Sequence, residues 1–114
     1  MALLRLGVLP KGAMDAAAAF HASIVPRARE ALAGAEESLV LVFAPESSDH
    51  RGWRLAAVQQ LAREHAPQRV NALESGNEDA IAAACAYLDR APGLTGQLLR
   101  LADTGAMGLS SVPP

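Results

Sequence analysis

A chain of 114 residues with one cysteine has room for a single domain held by its own apolar core, without an intrachain disulfide. Hydrophobic residues make up 51%, against 19% charged and 4% aromatic, so the core is expected to consist of closely packed Ala, Leu and Val. The net charge of −2, with Lys11, Arg27 and Arg29 scattered, argues against a nucleic-acid partner, and Arg5 interrupts the short apolar start too early for a signal peptide or membrane span.

The expected location is cytoplasmic. Leu3 to Leu9 is an apolar run closed by Pro10, Lys11 and Gly12, which predicts a buried strand and a breaker. From Met14 to Ala33 the apolar residues Phe20, Ile24, Ala28, Ala31 and Leu32 recur at helical spacing. Pro26 predicts a kink or short break near Ala22 to Val25, because it removes a backbone donor and crowds the carbonyl four residues back. After Gly34, Ser38 to Phe43 is apolar on both faces, as in a central strand of a parallel sheet.

Pro45 ends that strand. Ser47, Ser48 or Asp49 can cap a helix running to about His65, with Trp53, Leu55, Val58, Leu61 and Ala62 on its buried side. Pro67 stops it, and a third strand begins at Arg69. Asn77 caps a helix with Ile81, Ala84, Cys85 and Leu88 on one face, and Leu94 to Leu101 predicts the fourth strand. The alternation implies an α/β fold: a small Rossmann-like three-layer domain with a four-stranded parallel sheet in sequential order and three main helices. The domain is assigned to 1–105, followed by an irregular tail over 106–114.

Few residues carry a chemical signature. His21, His50 and His65 have no ligand spacing, so no metal is expected and surface or capping roles are assigned to them. Ser47, Ser48, Asp49 and His50 include the residue types of a nucleophilic triad, but neighbours at a helix start cannot assume its geometry. Glu78 and Asp79 sit where negative charge complements a helix dipole. Cys85 reads as a small buried hydrophobe, and Trp53 is compatible with core or interface.

Two stretches carry more information. Arg69-Val70-Asn71-Ala72-Leu73-Glu74-Ser75-Gly76, preceded by Ala66-Pro67, and Thr95-Gly96-Gln97-Leu98-Leu99-Arg100-Leu101-Ala102-Asp103-Thr104-Gly105 resemble the C-terminal half of short-chain dehydrogenases/reductases. That family writes them as A-x-E-x-A-P-x-R-V-N-A-V-x-P-G and T-G-Q-x-x-x-V-D-G-G. The resemblance implies that the four strands here stand for the family's last four, that the first three are absent, and that the last helix crosses to the opposite face of the sheet.

Against the family pattern, the glycine-rich dinucleotide turn is missing. The positions of the Tyr-x-x-x-Lys pair fall near Ser47 and Arg51, and the serine position on Ala44 or Pro45. Ser47 lacks an acidic phenol, and Arg51 lacks a tunable charge. The expectation is therefore a domain without catalytic residues or cofactor. It would assemble as a homo-oligomer, a dimer or tetramer, or pair with a full-length dehydrogenase subunit, with neither nucleic acid nor membrane as partner. Family associations through the first two main helices make Phe20, Ile24, Trp53 and Leu55 interface candidates. The alternative is a small-molecule or NAD(P)-binding domain, such as an accessory subunit of an oxidoreductase, using the strand ends at Ala44, Glu74, Gly76 and Gly105.

Overall fold

The computed structural model describes residues 1–102, so Gly105 and the 106–114 tail lie outside the described residues. Strands β1 (Ala2–Arg5), β2 (Ser38–Phe43), β3 (Arg69–Glu74) and β4 (Leu98–Arg100) pair in parallel in the order β1-β2-β3-β4. β2 is buried along its whole length, as a central strand clad on both faces must be. β1 is shorter than the apolar run predicts. Leu6 still donates its amide to the Val42 carbonyl at 3.0 Å, after which Gly7 to Pro10 carry the chain off the sheet.

The first helical segment resolves the conflict posed by Pro26 without a break. Helix α1 (Ala13–Ala19) passes into one π-helical turn, Phe20–Ile24, and then into α2 (Val25–Leu32). The Val25 amide bonds the Phe20 carbonyl five residues back, and the added residue accommodates a proline that has no N–H to give. Phe20 and Ile24 thereby stay on the inward face.

A 3₁₀ turn, Ser48–His50, leads into α3 (Arg51–His65). The buried stripe of α3 is Arg54, Ala57, Val58, Leu61 and Ala62, whereas Trp53 and Leu55 are half-buried at its margins. Asn77 caps α4 (Glu78–Asp89), its Oδ1 accepting from the Ala80 amide at 2.9 Å.

Register explains how the two layers are filled. Leu39 lies beside Val70, and Leu41 beside Ala72 and then Leu98, so these residues share the face packed by Phe20, Ile24, Ala28 and Leu32 and by α3. The alternate residues Val40, Val42 and Leu73 meet Ile81, Ala84 and Leu88 of α4 on the other face. All three crossovers step in the same direction across the sheet. Moving α4 to the opposite face therefore reverses the hand of the last one relative to the first two, as the resemblance implies.

β4 begins later than the apolar run suggests because Leu94 to Gln97 are held by β3 in another way. Gly96, at φ 74, donates to the Val70 carbonyl at 2.7 Å, and Thr95 Oγ1 accepts from the Val70 amide at 3.0 Å. Asn71 Nδ2 donates to the Leu94 carbonyl, and Asn71 Oδ1 accepts from the Gln97 amide, each at 3.0 Å. The left-handed backbone at position 96 is the conformation for which glycine is required.

Candidate functional site

Open parallel sheets receive ligands at the carboxyl ends of their strands, and here that end holds the chain's one buried ion-paired cluster among the described residues. Glu74, the last residue of β3, lies beside Phe43 on the α3 face. Its Oε2 accepts from Arg54 Nη1 at 2.9 Å and its Oε1 from Arg100 Nε at 3.0 Å. Arg54 Nη1 also donates to the Ala44 carbonyl at 2.9 Å, and the guanidinium carbon sits 4.4 Å from the centroid of the Phe43 ring. Arg54 and Glu74 are each 2% exposed, whereas the Arg100 side chain is 53% exposed and in contact with water.

The cluster borders a cavity of about 140 Å³ between the segment after β1, at Leu6 to Leu9, and the segment after β2, at Ala44 to Glu46. Aromatic side chains hold these walls. Phe20, Phe43 and Trp53 pack with centroid separations of 5.4 to 5.8 Å. Trp53 Nε1 donates to His50 Nδ1 at 3.1 Å, which leaves Nε2 of the ring as the proton-bearing nitrogen that meets the Lys11 carbonyl at 2.9 Å. His50 thus ties the post-β1 segment to the start of α3.

The residues predicted for function separate into three groups. Ala44 and Glu74 come together through Arg54, while Gly76 is exposed on the α4 side beside Ser75. Phe20 and Ile24 are placed in the chain's own core, and Trp53 and Leu55 pack against its edge. Ser47 and Arg51, at the family's tyrosine and lysine positions, are both exposed, and the Ser47 side chain makes no capping hydrogen bond. His50, assigned a surface or capping role from sequence, is 3% exposed and spans two segments.

Arg54 was the residue that sequence reasoning missed. Its signal was available: position 54 precedes Ala57, Val58, Leu61 and Ala62 at three- and four-residue spacing, so helical periodicity places an arginine on the buried stripe. Such a cation requires a buried carboxylate, and Glu74 at the end of the buried strand β3 supplies it.

Among the described residues, no group of three or more His, Cys, Asp or Glu is arranged to hold a metal, and no helix is long and apolar enough to cross a membrane. No curated protein and no solved structure matches the chain. A family model described as short chain dehydrogenase-like protein matches residues 4–101, a span that contains all of β2, β3 and β4 and the opposite-face helix α4. The chain therefore belongs to the SDR-like, short chain dehydrogenase-like family.

Proposed function

We propose that this is a non-catalytic short-chain-dehydrogenase-like domain that works by assembly, joining a second copy of itself along β1. A full-length dehydrogenase subunit is the alternative partner. The observation that carries this reading is the distribution of exposed apolar side chains. Of the five large exposed hydrophobics among the described residues, Leu3 lies on β1, Met1 directly precedes it and Val8 lies in the segment that follows it, whereas Met14 opens α1 and Tyr87 lies on α4. β1 is also the terminal strand of the sheet, so its outer backbone groups are open to pairing. Leu3 shares a face with Val40, which α4 covers, but is itself 42% exposed.

The helices at the opposite layer make a weaker case for contact. Their outer surfaces carry Arg27, Arg29, Glu30, Gln60, Arg63 and Glu64, several already paired with one another. A cytoplasmic setting suits a chain with a single unpaired cysteine. Sedimentation velocity at micromolar concentration tests the proposal. A concentration-dependent dimer or larger oligomer that Leu3→Lys dissociates supports it. A monomer across the whole range, with no association when a full-length family dehydrogenase is added, refutes it.

A second reading, binding of a small molecule or of NAD(P), is supported by the cavity beside Arg54. Its volume of about 140 Å³ is well below the roughly 300 Å³ at which drug-sized pockets begin. A dinucleotide would therefore lie mostly on the open strand ends. Calorimetric titration with NADH and NADPH tests this reading, and silence with both removes the nucleotide.

A further inference from the structure

We infer that a second copy adds to β1 in antiparallel register about a two-fold axis at Leu4, joining the two four-stranded sheets into one; this rests on the assembly reading above and specifies how the partner sits. The backbone of β1 sets the pairing. Leu6 donates its amide to the Val42 carbonyl at 3.0 Å, and Arg5 stands opposite Val42 in the parallel register. In such a ladder the residues on either side of Arg5 turn their amides and carbonyls toward β2, so Leu4 and Leu6 are bound inward. Leu3 and Arg5 present theirs to the open edge. A two-fold at Leu4 places Leu3 opposite the partner's Arg5, and Arg5 opposite the partner's Leu3, each pair exchanging both backbone hydrogen bonds. Leu4 then faces the partner's Leu4 in the closer, unbonded kind of pair.

Side chains select this axis among those the backbone allows. A slip of one residue sets the α4 face of one strand against the α3 face of the other, so the axis falls on a residue: Leu3, Leu4 or Arg5. At Leu4 the whole of Ala2 to Leu6 is paired. Ala2 lies opposite the partner's Leu6 on the α3 face, and Ala2, Leu4 and Leu6 pack on the core while only half-buried, so the partner completes their cover. With the axis at Leu3, Arg5 and Leu6 overrun the start of the partner's strand at Ala2. With the axis at Arg5, Ala2 and Leu3 meet Val8 and Gly7 of the partner, which have left the sheet. On the α4 face the exposed Leu3 receives the aliphatic stem of the partner's Arg5. Each Arg5 guanidinium is already held by Glu78 of its own chain at 2.8 Å, so the junction gains no unpaired cation. The opposite edge of the sheet is a poorer template, since β4 has three residues and ends on Arg100, which Glu74 engages.

The test is a carbon-filtered NOE measurement on an equal mixture of labelled and unlabelled whole chain, made where sedimentation velocity finds the dimer. A contact between Leu4 Hα and the partner's Leu4 Hα is expected, because unbonded antiparallel pairs bring these protons together. Arg5→Pro removes an outward amide and spares the inward bonds of Leu4 and Leu6, as an edge strand tolerates. That variant is expected to keep the circular dichroism spectrum of the parent and to dimerise about tenfold more weakly or worse, having lost backbone bonds at both symmetric positions. A filtered contact from Ala2 to the partner's Leu4, the mark of an axis at Leu3, overturns the register and leaves assembly along β1 in place. A dimer without filtered contacts at β1, or one that Arg5→Pro leaves equally tight, overturns pairing at this edge. A monomer at every concentration removes the assembly reading as well.

Discussion

Deleting the carboxylate of Glu74 is expected to be among the most destabilising single changes in this chain. Glu74→Leu removes two charge-assisted contacts, at 2.9 Å to Arg54 and 3.0 Å to Arg100. Arg100 is half-exposed, so its contact is worth at most about 1 kcal/mol. Arg54 decides the outcome. Its side chain is 3% exposed, and without Glu74 it becomes a buried cation facing one carbonyl. Breaking a buried pair from one side costs about 3–5 kcal/mol, against a total stability of about 5–15 kcal/mol for a domain of this size.

Replacing both partners should behave differently. In Arg54→Met/Glu74→Leu no buried charge is left behind, since Arg100 is half-exposed, and the methionine can lie on the Phe43 ring that the guanidinium now covers at 4.4 Å. The double variant is expected within about 2 kcal/mol of the parent. Urea unfolding followed by fluorescence of the lone tryptophan, Trp53, reads the parent, the two single variants and the double variant, because Trp53 packs on Phe20 and Phe43 beside the cluster. A Glu74→Leu loss below about 1 kcal/mol, or a double variant as unstable as the sum of the singles, would refute the reasoning.

Asn71→Ala is expected to lose about 1–3 kcal/mol and to speed amide exchange at Gln97, since it strips partners from the Leu94 carbonyl and the Gln97 amide together. Gly96→Ala should cost about 1–2 kcal/mol by urea unfolding; the new Cβ meets Ala62 Cβ at an ordinary 3.7 Å, so the loss is conformational. Glu64 is held below the usual carboxylate range, first by the hydrogen bond from Gln60 and then by Arg29. The unfolded chain therefore takes up this proton at higher pH, and the contribution is complete above the unfolded value and lost as pH falls through the folded one. A carbon-detected NMR titration should place Glu64 low, with Gln60→Ala and Arg29→Ala each undoing part of the shift.

The fold was legible because periodicity reports burial. Ser38 to Phe43, apolar on both faces, read as a central strand, and the stripe from Phe20 to Leu32 as a covered face, although whether the chain's own core or an interface covers Phe20 and Ile24 was left to the structure. Element ends were less legible, since they depend on partners distant in the chain. β4 starts at Leu98 because Asn71 and Val70 take up the preceding residues, a claim that no local pattern in Leu94 to Leu101 registers. Pro26 announced a conflict, but whether the helix breaks or widens by one residue was settled by the need to keep Phe20 and Ile24 under the sheet. At the strand ends, Ala44 and Glu74 were found by the rule for parallel sheets, while Arg54 escaped because only the apolar residues of its helix were assigned to the buried side.

The placement of the buried polar residues bears on what the family likeness means. β4 has only three residues in register with β3, too little for its ladder to hold it firmly. Two polar side chains of β3 make up the difference. Asn71 holds the approach to β4 through Leu94 and Gln97, and Glu74 holds its end through Arg100. Asn71, Thr95 and Gly96 are also among the residues on which the resemblance to dehydrogenases rests. Each plays a structural part here, since Asn71 bridges, Thr95 accepts from Val70, and Gly96 takes a left-handed turn. A fold that needs its last strand will need these residues whether or not it transfers hydride. Their presence accounts for family membership without arguing for catalysis.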